Sequence, residues 1–405
     1  MLTSLPGAAS PMKPARRAAR APHDITGIAI PVIAPTPGEA ASDVARERGQ
    51  FLARQDRWEE LAAELDAADR ARQATPDGQR LADLLAFGAR SDAILAAEHA
   101  LQDGADPDAP ALAGGIAALE EMRDEAGAAP MLDLVVALAH LDLGWLWRRL
   151  GQTHPTQGKT RFAAHVERAA ALLAPHCGVA LDSPAIAAAR CAILAGCGDP
   201  RDRLVDDFED LIDLDPGNPR PMRTLGTWLL PRWFGDYRQL ELEARRTAAL
   251  TQDVWGAGGY TWVCFDAVAI DDGACTRIDT GFFIDGLLDI LKARPDQAMV
   301  NLLTAYCALA LRPGPGDLPD ARRPRAEIAA CASRLIRGHL TELHPLVWAH
   351  AGDRFDDAAP ATSLKRYAAR GQSEAMQVLA AEFSAELAAG RRVAFTPDGV
   401  VLRAP

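Results

Sequence analysis

The residues best suited to binding chemistry are tryptophans and arginines in the middle third of the chain. Both residue types are enriched among the side chains that dominate the energy of protein interfaces. Two short segments carry most of them, one at 145–148 and one at 228–233. The predicted binding residues are Trp145, Trp147, Arg148, Trp228, Arg232 and Trp233.

The spacing within each segment indicates how these side chains are placed. Trp145 and Trp147 are two residues apart, so they cannot share one face of a helix. We expect one to fill the core and the other to reach a different surface. Pro231 ends the preceding helix, and the extra length at Arg232 directs Trp233 away from the usual packing position. Two interpretations follow: packing within and between helical repeats, or a concave aromatic and arginine groove that binds a protein or peptide segment.

A partial phosphate-binding motif lies between these segments. A P-loop requires Gly, four residues and then Gly-Lys-Thr, so that backbone N–H groups surround a phosphate. Gly158, Lys159 and Thr160 supply the end of the motif, but Thr153 stands where the first Gly belongs. The apolar segment upstream suits a helix better than the strand that the motif needs. We therefore expect no nucleotide and no other cofactor.

The remaining chemistry-bearing residues lack the spacing of known sites. His339, His344 and His350 are five and six residues apart, whereas a zinc-binding helix needs two histidines four apart. The chain contains no Cys-x-x-Cys, and Gly256–Gly259 lacks the spacing of a dinucleotide loop. We predict no metal site and no catalytic residue. An enzyme with an unrecognised site between helical layers is the alternative.

The elements that must position these residues are helices. Apolar residues recur at spacings of three and four, as in Trp58, Leu61, Leu65 and Ala68. Turn residues interrupt the pattern about every 15–25 residues. This rhythm predicts an all-α fold, a tetratricopeptide-like array of antiparallel helix pairs. The predicted parts are a flexible N-terminal arm at 1–40, a helical-repeat domain at 41–390, and a C-terminal β-hairpin and tail at 391–405.

The repeat is degenerate. In a 34-residue register, Leu225 and Gly226 occupy the Leu-Gly positions of the tetratricopeptide pattern, and Phe208 and Pro216 match the preceding period. Downstream, the register continues only after a two-residue insertion at 231–232, and no regular array extends from it. In the tail, 392–396 and 399–403 flank a Pro-Asp turn, which predicts a hairpin that docks on the last helix.

Charge and composition exclude several classes of partner. The net charge of −12 disfavours nucleic acid and anionic membrane surfaces. No run of 18 apolar residues occurs, so we expect no membrane span. The seven cysteines are an odd number without pairing motifs, which indicates buried thiols in the cytoplasm. Residues 25–34 have the length of a signal-peptide core, but Asp24 and Pro31 favour a flexible arm instead.

Two stretches resemble a bacterial family called domain of unknown function 4034. The first is Ala139–Gly151, continuing through Phe162 to Pro175, and the second is Leu229–Gly235, which is similar to that family's Leu-x-Pro-Arg-Trp-x-Gly segment. The resemblance covers about 40–350 of the chain. It implies a tetratricopeptide-like helical fold and brings no known activity.

Together these patterns predict a bacterial, cytoplasmic, non-enzymatic scaffold whose groove engages a protein or peptide segment. The alternatives are the enzyme described above and a structural subunit of an envelope or secretion apparatus, for which the N-terminal arm would be a targeting signal. The sequence does not determine the oligomeric state.

Overall fold

A computed structural model describes residues 23–25, 27–104, 109–127, 129–150, 155–314, 317–355 and 363–404. Helices account for 73% of it, and the all-α fold class with a small C-terminal hairpin is confirmed. Residue contacts divide the described chain into two compact units. Unit 1 comprises 37–221, and unit 2 comprises 222–404 together with the described residues of 23–36.

Unit 1 is built from short-looped helices. Pro, Gly and Asp are common at the breaks, and segments of two to ten residues connect each helix to the next, so neighbouring helices run antiparallel. Its helices are α1 (Pro37–Arg54), α2 (Trp58–Arg70), α3 (Leu81–Gln102), α4 (Pro110–Ala126), α5 (Pro130–Leu150), α6 (Pro155–Leu173), α7 (Gly178–Leu181), α8 (Pro184–Ile193) and α9 (Arg201–Leu214). Helix α10 (Pro219–Trp228) begins in unit 1 and ends in unit 2.

Helix α5 is the centre of unit 1. It contacts α2, α3, α4, α6 and α8, so apolar residues cover nearly its whole surface. By length and hydropathy, Pro130–Arg149 could cross a membrane, and 83% of that window is buried inside the protein. A helix that is apolar all round is typical of a protein core. Several of its side chains are completely buried, namely Val135, Val136, Ala137, Ala139 and Leu141.

Unit 2 contains the remaining helices. Several begin at an aspartate whose side chain accepts backbone N–H groups of the first turn, as Asp236, Asp279 and Asp296 do. Its helices are α11 (Tyr237–Leu250), α12 (Gln252–Trp255), α13 (Gly258–Ile270), α14 (Asp272–Cys275), α15 (Thr280–Ala293), α16 (Gln297–Ala305), α17 (Pro319–Ala329), α18 (Cys331–Gly338), α19 (Pro345–Gly352), α20 (Leu364–Glu382) and α21 (Ser384–Ala388).

Helix α13 is the buried centre of unit 2. Its residues Trp262, Val263, Cys264 and Phe265 are fully buried, and it packs against α11 and α15. Gly226 of α10, which the repeat pattern singled out, lies directly against it. A Cβ atom at Gly226 would be 1.7 Å from the carbonyl oxygen of Val263. The close approach of these two helices therefore requires glycine.

A small sheet belongs to unit 2. Its strands are β1 (His23–Ile25), β2 (Ile28–Ile30), β3 (Arg392–Thr396) and β4 (Gly399–Arg403), in the order β1-β2-β3-β4. The predicted hairpin is the antiparallel pair β3–β4. It packs against the end of α20, where the ring centroids of Phe395 and of Phe383, the residue after α20, are 5.9 Å apart.

The structure places a strand within the segment predicted as a flexible arm. Strand β2 pairs in parallel with β3, and Ile28 and Ile30 are fully buried. The alternation of Ile with Ala supplies one apolar face, and pairing covers an edge that the hairpin alone would leave open. Helix α1 then starts at Pro37 rather than after residue 40. Residues 1–22 of the predicted arm lie outside the described chain.

Candidate functional site

The antiparallel pair α5 and α6 brings together half of the predicted binding residues. Gly144 of α5 faces α6, and a Cβ atom there would lie 3.3 Å from Cβ of His165 and 3.5 Å from Cδ2 of Phe162. The small residue lets the two helices approach, so the side chains around it meet across the contact. We call this contact, with its flanking residues Glu120, His140, Trp145, Trp147, Arg148, Arg161, Phe162, His165 and Arg168, the α5–α6 seam.

One end of the α5–α6 seam is aromatic and basic. The half-buried Trp145 meets Phe162 edge to face with ring centroids 5.1 Å apart. The exposed Arg148 places its guanidinium carbon 5.4 Å from the Trp145 ring and 5.0 Å from the Phe162 ring. An arginine stacked on rings directs its N–H donors along the guanidinium plane, where they suit a carboxylate or a peptide carbonyl.

Trp147 occupies a different face, as the two-residue spacing predicts. It is 4% exposed and packs with Ala97, Leu112 and Leu143 in a small apolar cluster. The guanidinium carbon of Arg161 lies 4.6 Å from its ring. Trp147 is therefore a core residue, and Trp145 and Arg148 are the members of the first segment that reach the surface.

The middle of the α5–α6 seam holds a chain of polar groups from three helices. His140 Nε2 lies 2.8 Å from Oε1 of Glu120 on α4, and His140 Nδ1 lies 2.9 Å from Nδ1 of His165 on α6. Arg168 donates to both oxygens of Glu120 at 2.7 and 2.5 Å. This guanidinium, with a smaller contribution from His140, lowers the pKa of Glu120 to about 2. Glu120 is thus an ionised acceptor at neutral pH.

The tautomers of the two imidazoles follow from this charge. Because an ionised Glu120 only accepts hydrogen bonds, His140 donates from Nε2 and its Nδ1 is an acceptor. His165 must then donate from Nδ1. Its Nε2 therefore carries a lone pair, and this atom has no hydrogen-bond partner among the described residues. Burial lowers the pKa of His165 to about 4, and His140 and Arg161 act in the same direction. Burial also lowers the pKa of His140, although Glu120 opposes the shift.

The second predicted segment lies in unit 2. Trp228 is 2% exposed and packs edge to face on Phe234 at 5.7 Å. Trp233 is half-buried and Arg232 is exposed. Backbone hydrogen bonds from Trp233 N to Leu230 O (2.8 Å) and from Phe234 N to Trp228 O (3.0 Å) define this turn. The six predicted binding residues are therefore divided between the two units, three in each.

Other candidates from the sequence have ordinary structural positions. Lys159 lies exposed on α6, and residues 151–154 of the partial P-loop are outside the described chain. His344 is buried and its Nε2 lies 2.9 Å from Glu342, while His350 contacts the Tyr367 ring at 5.0 Å. Within the described ranges, no group of three or more His, Cys, Asp or Glu side chains is arranged to hold a metal ion.

Unit 2 also contains a cleft of about 630 Å³ that the sequence patterns did not indicate. Its lining includes Asp271, Asp272 and Asp317. These carboxylates already have partners: the buried Arg325 donates to Asp272 at 2.8 Å, Tyr237 donates to Asp271 at 3.0 Å, and the Gly314 N–H donates to Asp317 at 2.6 Å. The carboxylates that line the cleft are thus held by internal hydrogen bonds and an ion pair.

Sequence reasoning missed Glu120, His165 and Arg168. Each lies at an ordinary position on an amphipathic helix, and no local motif links it to His140. Phe162 appeared only within the family resemblance. The signal that joins these residues is the pairing of helices in space, which a single sequence does not reveal. Comparisons with family models, curated proteins and solved structures find no match to this chain.

Proposed function

We propose that this protein is a tetratricopeptide-like, non-enzymatic scaffold of the bacterial cytoplasm, and that its α5–α6 seam binds a segment of a partner protein. The observation that carries the proposal is the exposed Arg148, whose guanidinium lies over both the Trp145 and Phe162 rings. This is the combination of residue types that dominates interface energies. That all seven cysteines are free thiols supports a reducing compartment.

The helix beneath this cluster supports binding with little reorganisation. Trp145 and Arg148 project from α5, whose opposite faces are buried among four other helices of unit 1. Because α5 is already folded and packed on these helices, a partner need not order its backbone when it binds. Stacking an exposed arginine on aromatic rings contributes about 0.5–1 kcal/mol and restricts its rotamers before binding. The surface is therefore preorganised.

The polar groups of the α5–α6 seam support a scaffold over an enzyme. Glu120 accepts hydrogen bonds from Arg168 and His140, and Asp133 accepts from Arg123 at 2.6 Å and lies 2.7 Å from His176 Nε2. Groups paired in this way tie helices together. We infer that the network stiffens the surface beside Trp145 and Arg148.

A hydrolytic enzyme is the second candidate, and the observation that favours it is His165 Nε2, which has no hydrogen-bond partner within the described ranges. An imidazole that a carboxylate orients through a second group is arranged like the general base of a catalytic site. Hydrolysis of p-nitrophenyl acetate, compared between the native protein and His165→Ala, tests this candidate. Turnover that disappears in the variant favours the enzyme, and equal rates favour the scaffold.

Partner capture tests the scaffold. We expect Trp145→Ala and Arg148→Ala each to reduce the yield of captured partner about tenfold, the usual effect of truncating an interface hot spot. Melting temperature is measured on the same preparations, because an unfolded variant would also lose the partner. Arg366→Ala is the matched control, since Arg366 is an exposed arginine on α20. Unchanged capture by folded Trp145→Ala and Arg148→Ala would contradict the proposal.

A further inference from the structure

We propose that the cleft of about 630 Å³ in unit 2 binds a small aliphatic amine through its ammonium group. This inference goes beyond the scaffold function, because it concerns a small-molecule ligand and residues of the other unit. The volume lies in the range of small-molecule sites, about 300–1,000 Å³. We call this site the unit 2 cleft.

The first acceptor on the unit 2 cleft is Asp317, whose side chain is only 6% exposed. The Gly314 N–H donates to its Oδ2 at 2.6 Å. Its Oδ1 accepts no hydrogen bond from the described residues, and Arg354 Nη2 lies 3.7 Å from it, beyond hydrogen-bond distance. A largely buried carboxylate oxygen without a hydrogen bond is unfavourable, so a ligand that donates to Oδ1 is stabilised there.

Asp271 and Tyr237 supply two more acceptors. Asp271 Oδ1 accepts from the Tyr237 hydroxyl and from the Ala274 N–H, both at 3.0 Å. Its Oδ2 has no hydrogen bond and no ion pair within the described ranges. Burial and Asp271 raise the pKa of Tyr237, so the hydroxyl keeps the proton that it donates and its oxygen remains an acceptor. The close approach of this hydroxyl requires Gly273, where a Cβ atom would lie 2.2 Å from it.

Three acceptors match the three N–H donors of a primary ammonium group. Asp272 offers no further oxygen, because Arg325 donates to its Oδ1 at 2.8 Å and the Leu318 N–H donates to its Oδ2 at 2.7 Å. A calcium ion would need about six to eight oxygen ligands. In the part of the chain that the structure describes, no group of three or more His, Cys, Asp or Glu side chains is placed to hold a metal ion. The acceptors therefore favour an ammonium over a metal.

The charge of the unit 2 cleft favours a cation over an anion. Among the described residues, its lining has three aspartates and one arginine, Arg354. Arg325 is completely buried, so it compensates Asp272 from the interior and does not reach a ligand. Arg277, which acts on the Tyr237 hydroxyl, is exposed and does not belong to the lining. An anion would therefore meet excess negative charge, whereas an ammonium reduces it.

Apolar side chains of the lining favour an ammonium that carries a hydrocarbon chain. Ile270 and Leu318 line the same cleft, and Leu318 is 52% exposed. A methylene chain beside the ammonium would cover this surface, and removal of apolar surface from water is favourable. The ligand class that satisfies the acceptors, the charge and the apolar lining is the alkylammonium ion.

Titration calorimetry with n-pentylammonium chloride tests the inference. We expect saturable binding by the native protein, and binding at least about tenfold weaker for pentanol and sodium pentanoate, which lack the ammonium. Asp317→Asn should weaken pentylammonium binding about tenfold, because a neutral amide replaces a charged acceptor. Asp320→Asn, the same change at an exposed aspartate of α17 outside the lining, should leave it unchanged. Melting temperatures show that each variant is folded.

Arg354→Ala is a second test at a side chain that is 39% exposed, where substitution leaves the fold intact. Arg354 competes with the ligand for Asp317 Oδ1, so its removal should tighten pentylammonium binding about threefold, the effect of a surface ion pair. Arg366→Ala, at an exposed arginine of α20, should change nothing.

Three results would overturn the inference. The first is the absence of saturable pentylammonium binding to the native protein. The second is weaker binding by Arg354→Ala or unchanged binding by folded Asp317→Asn. The third is tighter binding of calcium chloride or pentanoate than of pentylammonium, which would assign the unit 2 cleft to a metal ion or an anion. Each leaves the scaffold function standing, because Trp145 and Arg148 are unchanged in all of these proteins.

Discussion

At the scale of single residues, the His140–His165 pair is the most sensitive feature of unit 1. The two Nδ1 atoms are 2.9 Å apart, and with Glu120 ionised the hydrogen bond between them runs from His165 to His140. Protonation of His165 at Nε2 still leaves that hydrogen bond intact, but a second proton on His140 Nδ1 would set two donors against each other. Charged groups around the pair are Glu120 from α4 and Arg161 and Arg168 from α6.

Within the described part of the chain, no charged group other than these shifts the pKa of either imidazole. Arg90 of α3 donates to Asp142 at 2.7 Å, and Arg190 of α8 donates to the carbonyls of Leu173 and His176. The balance at the imidazoles is therefore set by burial, Glu120 and two arginines.

We predict that acid destabilises unit 1 through His165. Burial holds the pKa of this imidazole at about 4, below the ordinary value of 6.5. For a histidine with a lowered pKa, the stabilisation is complete above pH 6.5 and is lost as the pH falls towards 4. The loss is roughly 3 kcal/mol over that window. Denaturant unfolding of the native protein and His165→Gln, at several pH values, measures it.

His165→Gln is informative because the amide can donate to His140 but does not titrate. The native protein should lose more stability than the variant as the pH falls from 6.5 to 4. Parallel losses in the two proteins would show that His165 is not the titrating group. Glu120 also contributes to the acid loss, because its pKa is lowered from 4.5 to about 2 in the folded protein. Arg168, the main cause of that shift, is present in both proteins, so the contribution of Glu120 cancels in the comparison.

At the scale of elements, the contact between α10 and α13 depends on a single glycine. We predict that Gly226→Ala destabilises the protein by several kcal/mol, because the new Cβ would lie 1.7 Å from the Val263 carbonyl oxygen. Helix propensity alone would favour Ala by about 1 kcal/mol, so steric overlap decides the sign. Thermal unfolding measures the change. Gly198→Ala is the control, since nothing lies within 4 Å of its Cβ, and a stabilised Gly226→Ala would contradict the close approach of the two helices.

Variants in the turn between α10 and α11 distinguish a binding role from a packing role for this segment of unit 2. Arg232 is exposed, whereas Gly235 lies where a Cβ atom would be 2.6 Å from the Leu229 carbonyl oxygen. We predict that Arg232→Ala changes the free energy of unfolding by less than about 1 kcal/mol. If this turn forms a second binding surface in unit 2, separate from the α5–α6 seam, the same change weakens partner capture about tenfold. Gly235→Ala should instead lower the melting temperature. If the segment serves packing alone, Arg232→Ala will lower the melting temperature and leave capture per folded molecule intact.

At the scale of the whole molecule, each unit has its own buried centre. The main apolar cluster of unit 1 extends from Leu52 to Ala189, entirely within 37–221. We therefore predict that a fragment of residues 37–221 folds alone. Circular dichroism should show a helical spectrum, and denaturant unfolding should show one cooperative transition. A fragment that is helical but unfolds without cooperativity would contradict the independence of unit 1.

The sequence by itself determined what depends on near neighbours in the chain. Spacings of three and four predicted helices, because side chains on one helical face meet the same core. A Pro-Asp turn between apolar residues predicted the hairpin. The two-residue spacing of Trp145 and Trp147 predicted their separation, since helix geometry turns such side chains to different faces.

Only the tertiary structure decided which helices and strands become partners. Strand β2 pairs with β3 across more than 360 residues, and no local pattern encodes that choice. Likewise, His140 and His165 meet because Gly144 lets α5 and α6 approach, and Glu120 joins them from a third helix. An amphipathic helix specifies that one face is buried, but many partners would bury it equally well. Close packing of complementary side chains selects among those partners, and this selection also divided the predicted binding residues between two units.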